Sequence, residues 1–333
     1  AQDRRWGRLR LLSGLLVGAT LLWLGLRGLA WHDFASALVH VRWPWLILAW
    51  LTIPLGTSVK ALRWKFLLPR TNGQLGWGRL VAILTTGQLV NMVIPTRLGE
   101  IARAYLVSRT SKNTFTLTLG TLVVEKALDG LALLTLTAVL ALNVALPKWF
   151  GTAALSFGTI FGLLILLLFL VTFQRERLLR WTAKLPQSLQ GIVGRGIAGL
   201  GVLSQRGVFL QAVSSTLLVW SLGFITNYCL FLALGMEPTP LGASLLLVVH
   251  YLAVLIPGVP AQVGLFHYVT ILALGVFGIP REMSMPYAII LHALIYGTIL
   301  IWGTLSVSWL SVNLGTLTKQ LRALSKRGRS ATR

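Results

Sequence analysis

The chain is short of charge, shorter still of acid, and nearly without thiol. Of its 333 residues only 11% are charged, and Asp plus Glu number 8 against 30 Lys plus Arg. A water-soluble domain covers its surface with about a quarter of its residues charged, so an ordinary soluble enzyme is excluded. The one cysteine, Cys229, lies mid-segment in WSLGFITNYCLFLALG; it forms no intrachain disulfide and reads as a small apolar packing residue. A phosphate-cradling GxxxxGK[ST] loop, an HExxH zinc pair and a GxSxG elbow are all missing from the sequence, so no cofactor and no metal are expected. Alternation of period two is missing as well, which removes a membrane β-barrel, and open sheet is unavailable in lipid.

What is present is apolar. Hydrophobic residues make up 55% of the chain, the mean hydropathy is +0.77 and there are 13 Trp. The runs near 9–29, 43–62, 115–142, 151–173, 207–234 and 284–311 approach the roughly 20 residues that cross a hydrocarbon core as a helix. The reading is an all-α, polytopic integral membrane protein with six spanning helices. The first run follows Arg4, Arg5, Arg8 and Arg10 and is too long for a signal-peptide core, so it is expected to be an uncleaved signal anchor. Gly14-x-x-x-Gly18 within it permits close helix pairing, including with a second copy.

The basic residues sit between the apolar runs. They cluster in the 1–8 tail and at Arg10, after the second run (Lys60, Arg63, Lys65, Arg70, Arg79), around Arg97, Arg103, Arg109 and Lys112, through 174–205, and in the 315–333 tail. Only Arg27, Arg42, Lys148 and Arg281 fall on the alternate loops. The positive-inside rule then predicts both termini in the cytoplasm of a multi-pass protein of a bacterial or archaeal plasma membrane. Nucleic acid is not an expected partner, because no basic soluble module remains once these flanks are assigned.

That accounting works only if two apolar stretches, 77–108 and 240–280, enter and leave on one side. Each is then a re-entrant hairpin of two half-helices in a pseudo-inverted repeat. Gly78 to Ile94 is only about 17 residues, short of a span, and Pro95 interrupts it before LGEIARAYLV. The second stretch runs LGASLLLVVHYLAVLI, breaks at PGVPAQVG and resumes as LFHYVTILALGVFG. Both breaks contain P-x-x-x-G, Pro95 to Gly99 and Pro260 to Gly264. Paired interruptions in corresponding positions point to a substrate site, since freed backbone at membrane depth must line protein or water. The second half-helix of each hairpin starts at the break, where its amide donors and positive dipole end suit an anion such as phosphate. A proline kink in a packed bundle is the alternative.

Charges accompany the first break. Arg97, Glu100 and Arg103 are spaced by three, neighbours on one helical face. The next helix carries Thr114, Thr118, Thr121, Glu125, Asp129 and Thr135, a polar stripe that belongs on a bundle interior. Two ionised carboxylates at i and i+4 repel, so Glu125 and Asp129 call for a proton or a basic partner, either Lys126 or an arginine of the hairpin. His250 and His267 bracket the second break and His292 lies on the last helix; their spacing fits no metal motif, so packing with one hydrogen bond is expected. Gly194-x-Gly196-x-x-Gly199 formally matches a dinucleotide fingerprint but lacks the preceding strand and the later acid. The stretch 174–205 around it reads as a basic, partly amphipathic surface connector.

The run NMVIPTRLGEIARAYLVSR, continuing to TLVVEKALDGLALL, resembles the transmembrane domain of the lysylphosphatidylglycerol synthase family. The matching positions are Asn91, Pro95, Arg97, Gly99, Glu100, Arg103, Glu125, Lys126 and Asp129, with a second proline-glycine motif at Pro257, Gly258, Pro260 and Gly264. Where many relatives have a glutamate three residues after that last glycine, this chain has His267. The family's soluble aminoacyl-transferring domain is not expected, because the chain stops soon after the last helix. The resemblance implies a non-enzymatic lipid flippase or transporter acting on a phospholipid, aminoacylated or not, or on an isoprenoid-linked lipid. The expected substrate-binding residues are Asn91, Arg97, Glu100, Arg103, Glu125, Asp129, Gln262 and His267, and a membrane lipid is the expected partner. A small-solute or ion transporter, a membrane scaffold and an intramembrane lipid-modifying enzyme are the alternatives.

Overall fold

The computed structural model describes residues 20, 23, 39–69, 75–94, 98–182, 186–256, 259–313, 315–317 and 320. The expected anchor at 9–29 with Gly14 and Gly18, the 1–8 tail, Pro95 to Arg97, Pro257, Gly258 and most of the 315–333 tail lie outside the described residues. Every regular element among the described residues is helical: α1 Trp43–Leu67, α2 Trp77–Val93, α3 Gly99–Thr110, α4 Phe115–Asn143, α5 Lys148–Phe173, α6 Arg175–Thr182, α7 Gln187–Leu200, α8 Arg206–Ala233, α9 Pro240–Leu255, α10 Leu265–Gly275 and α11 Arg281–Trp309. The chain is an all-α, polytopic membrane protein.

Among the described residues, four stretches are long and apolar enough to cross a membrane: Trp43–Leu67, Phe150–Val171, Arg206–Ala233 and Arg281–Trp309. The expected span at 115–142 also forms one helix, α4, of 29 residues. At about 1.5 Å per residue it is long enough to cross, but Glu125, Lys126 and Asp129 set its composition apart. The expected second span ends near 62, with its basic flank counted from Lys60 through Arg63 and Lys65. Instead α1 continues to Leu67, and all three are helical. The helix carries on because nothing breaks it before Leu68: Trp64 and Leu67 are fully buried and hold that last turn in the core.

The chain divides into two compact units. One contains the chain up to Val59, Leu128–Ile165 and Thr216–Thr298; the other contains Lys60–Ala127, Leu166–Ser215 and the chain from Ile299. Helices α1, α4, α5, α8 and α11 each give one end to either unit, whereas α2 with α3 belongs wholly to the second and α9 with α10 wholly to the first. In each short pair the two helices pack against one another. The first unit is built on Leu230, Phe231, Leu245, Leu246, Phe266 and Tyr287, and the Tyr287 hydroxyl donates to the Asn227 carbonyl at 3.0 Å. The second is built on Trp64, Leu80, Ile83, Ala104, Val107 and Leu122.

The connector expected at 174–205 forms α6 and α7, which pack on each other. Its glycine motif serves packing. A β-carbon on Gly120 of α4 would lie 2.9 Å from the Gly196 carbonyl oxygen and 3.0 Å from Gly199 Cα. Glycine at these positions lets two helix backbones touch, as small-residue seams do.

Candidate functional site

The first break joins α2 to α3 through a crossing too close for side chains. A β-carbon on Gly99 would run into the Gly87 carbonyl and Asn91, and one on Gly87 would come within 2.7 Å of Arg103 Cγ. Across this contact Asn91, on the last turn of α2, does two things. Its Oδ1 accepts the Gly99 N–H at 2.7 Å, satisfying one of the amides that a helix start leaves open. Its Nδ2 donates to the Glu100 carboxylate at 3.2 Å. The start of α3 is thus already capped from within, and the acid in its first turn sits favourably against the helix dipole.

Two rungs of charge connect α3 to α4. In the buried rung, Arg103 holds Glu125 in a bidentate pair, Nη1 to Oε1 at 3.1 Å and Nη2 to Oε2 at 2.8 Å. Arg63 Nη2 approaches the same carboxylate at 3.8 Å from α1. Arg63, Arg103 and Glu125 are 0%, 6% and 3% exposed. The Arg103 guanidinium also lies over the Trp64 ring, 4.2 Å from its centroid, an arrangement that favours a desolvated cation. Trp64 is fixed in turn, because its Nε1–H donates to Thr121 Oγ1 at 3.2 Å and that hydroxyl donates to the Thr118 carbonyl at 2.7 Å. In the outer rung, Lys126 Nζ stands 3.6 Å from Glu100 Oε1, and both side chains keep more than a third of their surface exposed.

The second break is built from rings. Ala261 and Gln262 adopt φ of 48° and 59°, and Gly264 adopts 83°; the first two are costly for residues with a β-carbon. His292 of α11 braces this turn, its Nε2 lying 2.8 Å from the Ala261 carbonyl. A carbonyl only accepts, so His292 carries its proton on Nε2. His267 Nδ1 accepts the Gly264 N–H at 3.3 Å, capping α10 much as Asn91 caps α3. His250 Nε2 contacts Thr270 Oγ1 at 2.8 Å; that hydroxyl's proton goes to the Phe266 carbonyl at 2.7 Å, so His250 donates. Phe266 stacks on His250 with centroids 4.0 Å apart and meets His292 edge-on at 5.3 Å. Gln262 Nε2 donates to the Ile256 carbonyl at 3.4 Å. Among the described residues no three His, Cys, Asp or Glu side chains converge as metal ligands.

Of the residues expected at a substrate site, Asn91, Glu100, Arg103 and Glu125 come together, while Gln262 and His267 sit at the second break in the other unit. Asp129 is buried on α4 one turn beyond Glu125. Arg97 lies outside the described residues. Glu100 and Arg103, neighbours on one helical face by their spacing, pair with Lys126 and Glu125 respectively. The stripe is buried only through Thr118, Thr121, Glu125 and Asp129; Thr114, which falls just before α4, and Thr135 are exposed. Sequence reasoning missed Arg63 and Trp64, having counted Arg63 as a topological flank. The available signal was a deficit of basic partners for two carboxylates on an otherwise apolar helix.

The family described as Lysylphosphatidylglycerol synthase TM region matches residues 11–303. A UPF0104 membrane protein of Methanocaldococcus jannaschii is 22% identical over 222 residues, 65% of this chain and 92% of that protein. A UPF0104 membrane protein of Methanothermobacter thermautotrophicus is 22% identical over 246 residues, 67% of this chain and 72% of that protein. No solved structure matches the chain.

Proposed function

The chain belongs to the lysylphosphatidylglycerol synthase transmembrane family, and on that premise we propose that it carries a lipid between the leaflets of a cell membrane. The observation that carries the proposal is the difference between the two rungs. Ionisable groups among spanning helices either pair out of sight or face water and ligand. Arg103 and Glu125 are buried in one another, whereas Glu100 and Lys126 keep 35% and 39% of their side chains exposed beside a broken helix. A headgroup bearing a phosphate engages Lys126, and its hydroxyl or ammonium groups engage Glu100, replacing one ion pair by another without stranding charge. Arg97, three residues before Glu100, adds positive charge at the same break.

Two further observations support re-entrant hairpins as the frame of this site. Each short helix pair belongs to one unit while the long helices are shared. Each second half-helix opens on an internal side-chain cap, Asn91 in one and His267 in the other. The cargo is a phospholipid, aminoacylated or not, or an isoprenoid-linked lipid, in a plasma membrane with both termini in the cytoplasm; the protein acts without being an enzyme.

The test is leaflet-to-leaflet movement of a panel of headgroup-labelled lipids in proteoliposomes, comparing the unaltered protein with Lys126→Gln and Arg97→Ala. Movement of one lipid class, lost in both variants, is the expected result. Movement unchanged in both would overturn the site assignment. No movement of any lipid under an imposed proton gradient would point to a small-solute transporter or a scaffold.

A further inference from the structure

Helix α5 runs almost directly into α6. Its apolar stretch ends at Val171, the Gln174 amide still donates to the Leu170 carbonyl at 2.9 Å, and the Gln174 carbonyl accepts the Leu178 N–H at 2.9 Å. The first residue of α6 is four past Val171, at most about 14 Å even for fully extended chain. Covalent reach alone therefore keeps the start of α6 at the membrane boundary. Phe173, on the last turn of α5, is 75% exposed and sets its ring 4.3 Å from that of Phe169, so the surface presented just before α6 is apolar.

On α6 the side chains sort by face. Leu178 and Thr182, four apart, are half-buried, whereas Arg177, Arg180 and Trp181, three and four apart from the first, are exposed neighbours. Trp181 keeps 66% of its surface open. An indole so exposed is poorly matched to bulk water and well matched to the headgroup layer, where its ring meets acyl chains and its N–H meets polar groups. Seating it there brings Arg177 and Arg180 to a similar depth, because they share its side of the helix. Neither arginine forms an ion pair among the described residues, even with Glu176, which lies one turn before Arg180. Their guanidinium forks are thus open to phosphate, which arginine takes in a bidentate grip. Arg195 of α7 is exposed too, but it folds against its own helix, with Nη1 3.1 Å from where a β-carbon on Gly191 would stand.

We propose that the Arg177–Arg180–Trp181 face of α6 is a binding surface for anionic phospholipid in the leaflet at this end of α5. Trp181 sits among the headgroups and the two arginines hold lipid phosphates, as basic amphipathic helices do at an anionic interface. The occupant is lipid within a bilayer and not a free anion, since a free anion leaves the indole in water. The inference does not depend on the transport reading, and it holds or fails by binding and position alone.

The full chain in detergent is titrated with short-chain phosphatidylglycerol and, in parallel, short-chain phosphatidylcholine, and bound lipid is counted by native mass spectrometry. Expected are preference for the anionic lipid and a loss of affinity of about tenfold or more in Arg177→Gln with Arg180→Gln, while Arg195→Gln binds like the unaltered protein. Undiminished binding in the double variant, an equal loss in Arg195→Gln, or displacement of the lipid by inorganic phosphate at matched concentration would overturn the site. A second measurement leaves both arginines in place. The buried Cys229 is replaced by Ala, Trp181→Cys carries a nitroxide, and its access to oxygen and to a water-soluble nickel complex is compared in proteoliposomes containing phosphatidylglycerol. Shielding from nickel, to the depth of the headgroup layer, is expected; access as free as that of a label in water would remove α6 from the membrane surface and the proposal with it.

Discussion

The two breaks solve one backbone problem with different chemistry. Both leave helix-starting amides in an apolar protein, and both supply a side-chain acceptor to the second half-helix. The first then adds charge: five ionisable groups from α1, α3 and α4 meet within 4 Å contacts. The second adds rings, with three imidazoles packed about Phe266 and each used in one hydrogen bond. A ring cluster can hold a strained turn without any demand on water. An ionic cluster that includes a partly exposed pair has a partner to exchange, and on that difference rests our proposal that the headgroup is met at the first break.

The comparison breaks or sharpens under substitution. The largest effect is expected from Glu125→Ala, which leaves buried Arg103 and Arg63 facing one another without their acid; such a lesion costs about 3–5 kcal/mol, read as loss of thermal stability in detergent. Arg103→Met combined with Glu125→Met should cost less than the two single changes together, because Arg63 alone, rather than Arg63 and Arg103 together, then loses Glu125. Next is His292→Phe, which strips the donor from the Ala261 carbonyl in its left-handed turn and is expected to cost about 1–3 kcal/mol. If it matches Glu125→Ala, the second break is not the less demanding of the two. Asn91→Ala removes the α3 cap and should cost about 1 kcal/mol; Asn91→Asp keeps an acceptor for Gly99 but sets a second carboxylate against Glu100, so it separates capping from headgroup contact. The smallest stability change is expected for Lys126→Gln, below about 1 kcal/mol for a half-exposed pair, although lipid movement should be lost. Equal losses of stability in Lys126→Gln and Glu125→Ala would erase the distinction between the rungs.

Much of this was legible in the sequence. Pro95 and Gly99 marked the first break within a residue or so of where α2 stops and α3 starts, because proline and glycine act through the backbone alone. The pairing of a hairpin arginine with Glu125 was among the alternatives, since a lone carboxylate on an apolar helix needs a cation. What could not be read was which arginine, and from how far. Arg63 lies 62 residues from Glu125 in sequence, and a topological charge count treats every arginine near a helix end as facing water. The exposure of Thr114 and Thr135 was equally hidden: periodicity gives the face of a helix, while burial along it depends on how far its neighbours reach. His267 was visible as a departure from a glutamate, but its work as a cap depends on Gly264 adopting φ of 83°, which no spacing reveals.

The glycine seam between α4 and α7 has a mechanical consequence. Where Gly120 and Gly199 meet there is no side chain to bend or change rotamer, so the joint is stiff and neither helix can shift there without displacing the other's backbone. Glu125 lies five residues beyond Gly120, about 7.5 Å along the axis. Any bulk inserted at position 120 or 199 therefore acts as a wedge at that joint, within two turns of the carboxylate that Arg103 grips.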